Sequence, residues 1–315
     1  MEHAAAQEKP IIQFNQITKK FGSTNAVQEL TLSIERGAFF VLVGASGSGK
    51  TTTLKMINRL ILPTTGSLVF NGENIANLPL NTYRHRIGYV LQNSALFPNM
   101  TVLENAAVTM DAQGIKTKLA RPKIEQLLRE VGLNPDKYAQ RMPHELSGGE
   151  QQRVGIVRAL AAEPEVILMD EPFSALDPIS RKQLQELVLD SHKNRQTTIV
   201  FVTHDMDEAI RLGTRIGVMQ DGHLLQVDSP QNIMQHPKNA QVAELFKTQQ
   251  TKTVADMVAL GFYHVNAQQS GPFVSEEAAL SELAKALLNA PTQIVQINQQ
   301  ISISQTDYLR YMAQL

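Results

Sequence analysis

The stretch Gly44-Ala45-Ser46-Gly47-Ser48-Gly49-Lys50-Thr51 has the residue types a phosphate site needs, in a workable order. Glycine and other small residues let a backbone curl tightly, so that successive N–H groups converge on one anion. A lysine closing such a curl can reach the terminal phosphates of a nucleoside triphosphate, and the hydroxyl of the next residue can ligate Mg²⁺. The loop must leave a buried strand and enter a helix whose positive dipole end adds to the site. Phe39-Phe40-Val41-Leu42-Val43, an unbroken apolar run, predicts that strand, and Lys50 to about Leu60 predicts the helix. The motif does not say what the nucleotide is used for.

Two further stretches carry related chemistry. Val166-Ile167-Leu168-Met169 reads as a buried strand followed at once by Asp170 and Glu171. A strand ending in a carboxylate sets that acid beside the phosphates, where Asp170 would hold Mg²⁺. Glu171, one residue on, is placed to orient or deprotonate an attacking water. Leu146-Ser147-Gly148-Gly149-Glu150-Gln151-Gln152-Arg153 offers a serine cap and two glycines at a helix start, a second anion-binding surface. One triphosphate does not need two such surfaces from one chain. That redundancy suggests two chains facing each other, each supplying half a site. Taken singly, Gln92 reads as a strand-end amide, Phe21 as a core aromatic, and His204 as a structural histidine after an apolar strand.

The elements that must position these groups follow from patterning. Ile11 to Thr18 and Val27 to Ile34 alternate as half-buried strands, with Phe21-Gly22 between them. Ser67 to Asn71 and Ile87 to Leu91 predict further short strands. Between Asn93 and Leu146 the character turns helical, over Thr101 to Thr109 and Lys123 to Val131, punctuated by Gly114, Pro122 and Pro135. Ser147 caps a helix to about Ala162. Pro178 to His192 and Asp205 to Leu212 predict helices. Thr197 to Val202, Arg215 to Gln220 and His223 to Val227 predict strands, the last two joined as a hairpin by Asp221-Gly222. Alternating strands and helices imply a mainly parallel sheet covered on both faces.

Bulk composition narrows the class. The chain has 315 residues with 43% hydrophobic content, enough for a large domain plus a smaller one. Its 29 basic and 30 acidic residues nearly cancel, which gives no reason to expect a nucleic-acid partner. With no cysteine there is no disulfide framework, thiolate metal site or cysteine nucleophile. The first ten residues read as a loose tail rather than a secretory signal, and no apolar run reaches the roughly 20 residues of a membrane span. A membrane role would have to come through a partner.

Taken together, the motifs resemble the ATP-binding cassette (ABC) ATPases, over about Ile11 to Phe246. Gly44 to Thr51 matches their Walker A loop, Val166 to Asp170 their Walker B strand, and Leu146 to Arg153 their signature. Gln92 matches the Q-loop glutamine, which touches Mg²⁺ and senses the membrane partner. Ser174-Ala175-Leu176-Asp177 matches the D-loop across the dimer contact. His204 in Val202-Thr203-His204-Asp205 matches the switch histidine that reaches the γ-phosphate. Phe21 falls where an aromatic residue stacks on adenine.

The resemblance implies an α/β P-loop NTPase fold with an antiparallel β subdomain and a helical subdomain at about 93–158. It implies ATP and Mg²⁺ as cofactors. Nucleotide contacts would come from Phe21, Gly44, Ala45, Ser46, Gly47, Ser48, Gly49, Lys50, Thr51, Thr52, Ser147, Gly148, Gly149, Gln151 and Asp177. Thr51, Gln92 and Asp170 would serve the metal, and Glu171, His204 and Gln92 catalysis. The implied partners are a second cassette in a homodimer or a related pair, integral membrane permease subunits and an extracytoplasmic substrate-binding protein or domain. The place would be the cytoplasmic face of the cell membrane.

Finer features point to a subgroup. Leu54 to Leu60, Arg141 to Leu146, Phe173 to Ile179 and His204 to Ala209 look like the quaternary-amine importers of glycine betaine, carnitine or choline. Methionine or polyamine uptake is the alternative within transport, and an ATP-dependent dimerisation module the alternative outside it. After about Gln250 the sequence predicts helix (Val254 to Leu260), strand (Phe262 to Asn266), helix (Glu276 to Leu288), strand (Gln293 to Ile297), strand (Gln300 to Ile303) and helix (Asp307 to Ala313). That order resembles a single cystathionine-β-synthase-type (CBS) domain over 247–315, with a dimer-stabilising appendage as the plainer reading. From Phe246 onward there are four basic residues and five acidic, with no polybasic cluster for a membrane surface.

Overall fold

The computed structural model describes residues 10–246, 253–265, 271–298 and 301–312. The chain divides into two compact units, 1–247 and 248–315. The expected N-terminal tail up to residue 9, and the junction itself at 247–252, lie outside the described residues.

The first unit opens with β1 (Ile12–Phe21) and β2 (Thr24–Ile34), antiparallel strands that pair up to Phe21 opposite Thr24. Next come β3 (Phe39–Val43), α1 (Lys50–Ile57), β4 (Thr65–Phe70), β5 (Glu73–Asn74), α2 (Leu80–Arg84) and β6 (Ile87–Val90). Four helices intervene: α3 (Val102–Asp111), α4 (Thr117–Glu130), α5 (Pro135–Tyr138) and α6 (Gly148–Ala161). The unit continues with β7 (Val166–Asp170), α7 (Pro178–Arg195), β8 (Thr198–Thr203), α8 (Met206–Leu212), β9 (Arg215–Gln220), β10 (His223–Asp228), α9 (Pro230–Gln235) and α10 (Ala240–Phe246). One sheet is four-stranded and antiparallel, in the order β2-β1-β4-β5. The other is six-stranded, β10-β9-β3-β8-β7-β6, parallel except for the edge hairpin of β9 and β10.

Continuous apolar runs make sense in the central strands because both faces are buried. Side chains alternate: Phe39, Val41 and Val43 pack with Ile167, Met169, Ile199 and Phe201 against the helices of the α3 to α8 side. Phe40 and Leu42 pack with Leu168, Val200 and Val202 on the other face. There they meet Leu54, Met56 and Ile57 of α1 and the inner residues of the antiparallel sheet, Phe14, Leu32 and Phe70 among them. The phosphate-loop helix is thus held between two sheets.

Several boundaries differ from the sequence expectation. The first long helix stops at Ile57, and Asn58 to Leu60 form a turn. Pro122 does not end a helix but lies inside α4. A mid-helix proline costs about 3 kcal/mol. Here Ala120, Ile124, Leu127 and Leu128, all buried on one stripe, hold the helix across it. The helix from Pro178 runs on to Arg195, ended by Gln196 in the left-handed region at φ 51°.

The second unit contains α11 (Val254–Ala259), β11 (His264–Val265), α12 (Leu280–Asn289), β12 (Ile294–Gln296), β13 (Ile301–Ser304) and α13 (Gln305–Met312). Its three strands are antiparallel, in the order β11-β13-β12, over a core that includes Val254, Leu283, Val295, Ile303 and Tyr311. Glu276 to Ala279 are not helical, contrary to expectation. Glu276 O and Ala278 O accept the N–H groups of Ala255 and Val254, so this segment pairs with the start of α11 before α12 begins. Asn266, Gln300 and Ala313, the expected ends of three elements, lie outside the described residues.

Candidate functional site

The loop from Gly44 to Gly49 leaves β3 at the carboxyl edge of the parallel strands, where such sheets bind ligands. Register explains what meets there. Val43 pairs with Thr203, and Asp170 pairs with Val202, so Gly44 and His204 leave neighbouring strands at the same level and Glu171 leaves the third one residue lower. Two glycines are required by close approach. A Cβ on Gly44 would sit 2.0 Å from Met219 O, and one on Gly49, at φ +100°, would sit 2.4 Å from Ala26 O.

Lys50 is buried and its Nζ donates to Gly44 O at 2.8 Å and Ala45 O at 2.9 Å, with Ser48 Oγ at 3.5 Å. Burial lowers its pKa, and the carboxylates of Glu171 and Asp170 oppose that fall. The ammonium is therefore folded back onto its own loop. Thr51 Oγ1 donates to Asp170 Oδ1 at 2.8 Å, while Tyr89 Oη donates to Oδ2 at 3.5 Å. Burial first, then Asp170, push the Tyr89 phenol up, so it stays a donor. Thr51 and Asp170 present hard oxygen donors side by side, the donor set that Mg²⁺ takes. Thr52 is half-buried in the first turn of α1.

Glu171 adopts a left-handed conformation, φ 45°, held by its N–H donating to Val202 O at 2.9 Å. His204 Nδ1 lies 3.0 Å from Glu171 Oε2. Gln92 Nε2 donates to Ser174 Oγ at 3.3 Å, and that hydroxyl donates to Glu171 O at 3.0 Å. Gln92 is thus held on Ser174 rather than on the Thr51–Asp170 pair. Phe21 ends β1 half-exposed, with Lys19 Nζ 4.8 Å above its ring.

The signature residues form a separate cluster. Ser147 accepts Glu150 N–H at 3.3 Å and Glu150 Oε2 accepts Ser147 N–H at 2.7 Å, a reciprocal cap for α6. Ser147 and Gly148 are exposed, and Gly149 is half-buried close to Ser180 and Leu176. Among the described residues no hydrogen bond joins Ser147, Gly148 or Gly149 to the loop Gly44 to Thr51. Two expected ligands have partners within the chain. Gln151 Nε2 donates to Pro143 O at 3.0 Å and Leu146 O at 3.3 Å, and its Oε1 accepts from Ser94 Oγ. Asp177 caps α7 by accepting from Ile179 and Ser180 N–H, and its contacts with Ser180 hold the carboxyl below its usual range.

Residues with no individual expectation tie the two clusters' supports together. Gln152 Nε2 donates to Leu91 O at 3.1 Å. Arg158 is buried and donates to Ser94 O and Ala95 O, each at 2.9 Å. The α6 helix therefore grips the chain on both sides of Gln92.

Comparison with known proteins gives a consistent result. The family described as ABC transporter matches residues 27–174. The osmoprotectant import ATP-binding protein OsmV of Salmonella typhimurium is 41% identical over 266 residues, 84% of this chain and 69% of that protein. The glycine betaine/carnitine/choline transport ATP-binding protein OpuCA of Bacillus subtilis is 46% identical over 74% of this chain. The matched region spans 62% of that relative's length. Among solved structures, the dimeric post-hydrolysis state of the ATP-binding cassette MJ0796, bound to ADP and Pi, superposes with TM-score 0.63 at 33% identity. It covers 70% of this chain and 98% of that one.

Proposed function

The chain belongs to the ABC transporter ATP-binding family, and from that premise we propose that it hydrolyses ATP to drive an importer of quaternary-amine osmoprotectants. The observation that carries the hydrolytic reading is the His204–Glu171 contact at 3.0 Å, one residue from the Asp170–Thr51 pair. A module that only bound ATP would need neither group. The substrate class rests on the names of the relatives above, because the ATPase itself does not touch the solute.

In this reading Lys50 turns from Gly44 O and Ala45 O to the terminal phosphates, and the loop N–H groups cradle them. Phe21 offers its ring to adenine. Thr51 and Asp170 would hold Mg²⁺, which supplies charge neutralisation on the phosphate oxygens. Glu171 accepts the proton of the attacking water, and His204 holds Glu171 in place. Ser147 and Gly148 stand exposed at the N-terminus of α6, with Gly149 half-buried behind them, free to cover the nucleotide of a second subunit. Asp177 shapes the start of α7 and Gln151 the signature loop. No helix among the described residues is long and apolar enough to cross a membrane. As the ATPase of an importer the chain would work from the cytoplasmic face of the membrane, with permease subunits and an extracytoplasmic substrate-binding component as partners. The second unit, with its helix–strand–helix–strand–strand–helix order, would be a single CBS-like domain.

Glu171→Gln tests the core of this reading. It should bind ATP, lose phosphate release by at least about a hundredfold, and elute as a dimer with ATP. Wild-type rates of phosphate release in that variant would refute the assignment.

A further inference from the structure

One buried carboxylate stands beside the Glu171–His204 pair without touching either. Glu208, in the first turn of α8, is 6% exposed. Thr203 Oγ1 donates to its Oε2 at 2.7 Å, and Gln185 Nε2, from α7, donates to its Oε1 at 3.2 Å. No salt bridge to Glu208 forms among the described residues; its two side-chain donors are neutral, and Asp205 and Arg181 face it more loosely. An apolar side chain would fill this place without the cost of desolvating an acid.

What the acid holds is the turn that carries His204. The Thr203 hydroxyl that donates to Glu208 also accepts Asp205 N–H at 3.0 Å. His204 is the residue between them. A hydroxyl that donates on one side and accepts on the other fixes its own rotamer and closes the turn. Asp205 Oδ1 accepts the N–H groups of Asp207 and Glu208, and its Oδ2 lies 3.8 Å from Arg181 Nη1. Arg181 Nη2 in turn donates to Leu176 O at 3.3 Å. Glu171 is fastened to the same stretch through Val202 O. A cavity of about 50 Å³ lies against Glu171, His204, Thr203 and Glu208, so the turn has room to shift if released.

We propose that Glu208 is a positioning residue for hydrolysis: through Thr203 it fixes the turn that aims His204 at Glu171, and through Gln185 it fastens that turn to the helix headed by Asp177. The proposal rests on reading Glu171 and His204 as the hydrolytic pair.

The test uses the full chain, measuring ATP affinity and steady-state phosphate release for wild type, Glu208→Ala, Glu208→Gln, His204→Ala and Glu208→Ala/His204→Ala. Glu208→Ala should lower kcat roughly ten- to a hundredfold, the cost of misplacing a reacting group by about 1 Å, with ATP affinity held within about twofold. Glu208→Gln should recover most of the rate, because its carbonyl still accepts from Thr203. The double variant should be no slower than His204→Ala, since both changes disable one unit. Losses that multiply in the double variant, or a parallel loss of ATP affinity, would make Glu208 a plain stability residue and overturn the proposal. If Glu208→Ala does not fold, Thr203→Val reads the same contact. A lower kcat at unchanged affinity supports the proposal, and an unchanged kcat overturns it. A wild-type chain without phosphate release would instead refute the hydrolytic reading itself, and this inference with it.

Discussion

Lys50→Met separates what the phosphate loop does for folding from what it does for ATP. Without nucleotide, the buried ammonium donates to Gly44 O and Ala45 O. Removing those donors leaves two carbonyls short of a partner, at about 1–3 kcal/mol each if they stay dry. Removing the charge also recovers a desolvation penalty of several kcal/mol, and methionine fills the space of the stem. The terms oppose each other, so stability without nucleotide should change by no more than about 2 kcal/mol. Binding has no such compensation. An ammonium about 4 Å from a phosphate charge, at an effective dielectric near 20, contributes about 4 kcal/mol, roughly a thousandfold in affinity. The assay is thermal unfolding of the first unit with and without ATP and Mg²⁺. Ligand at a hundred times its Kd adds about 2.7 kcal/mol, or roughly 5–10 °C for a domain of this size. Wild type should show that rise and Lys50→Met should not, while their nucleotide-free midpoints stay close. An undiminished rise in the variant would refute the assignment of Lys50 to the phosphates. A nucleotide-free collapse of more than about 10 °C would show that the charge is structural.

Two further outcomes follow from buried groups. Arg158→Leu removes both bonds to Ser94 O and Ala95 O, so amide exchange over residues 93–100 should speed up at least about tenfold while α1 stays protected, read by hydrogen-exchange mass spectrometry. His192 is held below the usual histidine range by burial, which its contact with Gly37 O only partly opposes. The unfolded chain then binds that proton more readily than the folded one, so stability falls as pH drops below about 6.5 and is steady above it. His192→Phe should flatten that acid-side loss in denaturant titrations between about pH 5 and 7, at a cost near 1 kcal/mol for the lost bond.

The features readable in the sequence are those whose chemistry is local or repeats along the chain. Gly44 to Thr51 declares itself because strand, curl and helix are consecutive. The Thr51–Asp170 pair joins residues 119 positions apart, but each end carries its own pattern. Side-chain direction is not written that way. Asp177 has the type and place of a ligand, yet a carboxylate at a helix start satisfies its own N–H groups first. Gln151 likewise closes the loop before its own helix, and Gln92 is held by Ser174. Pro122 reads as a breaker because its local cost is visible and the buried stripe that offsets it is tertiary. Glu208 looks like a surface acid on a short helix until Gln185, 23 residues earlier, arrives to bury it.

The position of α6 suggests why two half-sites work together. Its N-terminus carries the exposed Ser147 and Gly148, while Gln152 and Arg158, further along, hold Leu91, Ser94 and Ala95. A helix of 14 residues is a rod about 21 Å long, and α6 is capped at its first turn and buried from Val154 to Ala161. A rod of that kind does not absorb a push at one end by bending. On the proposed function, a phosphate met at Ser147 displaces the chain around Gln92 as well, because Arg158 grips main-chain carbonyls rather than a side chain that could rotate away. Gln92 is also hydrogen-bonded through Ser174 to the backbone of Glu171. In that reading the helix that would meet a partner's nucleotide is linked, through the Gln92 amide and the Ser174 hydroxyl, to the residue that would activate water on its own.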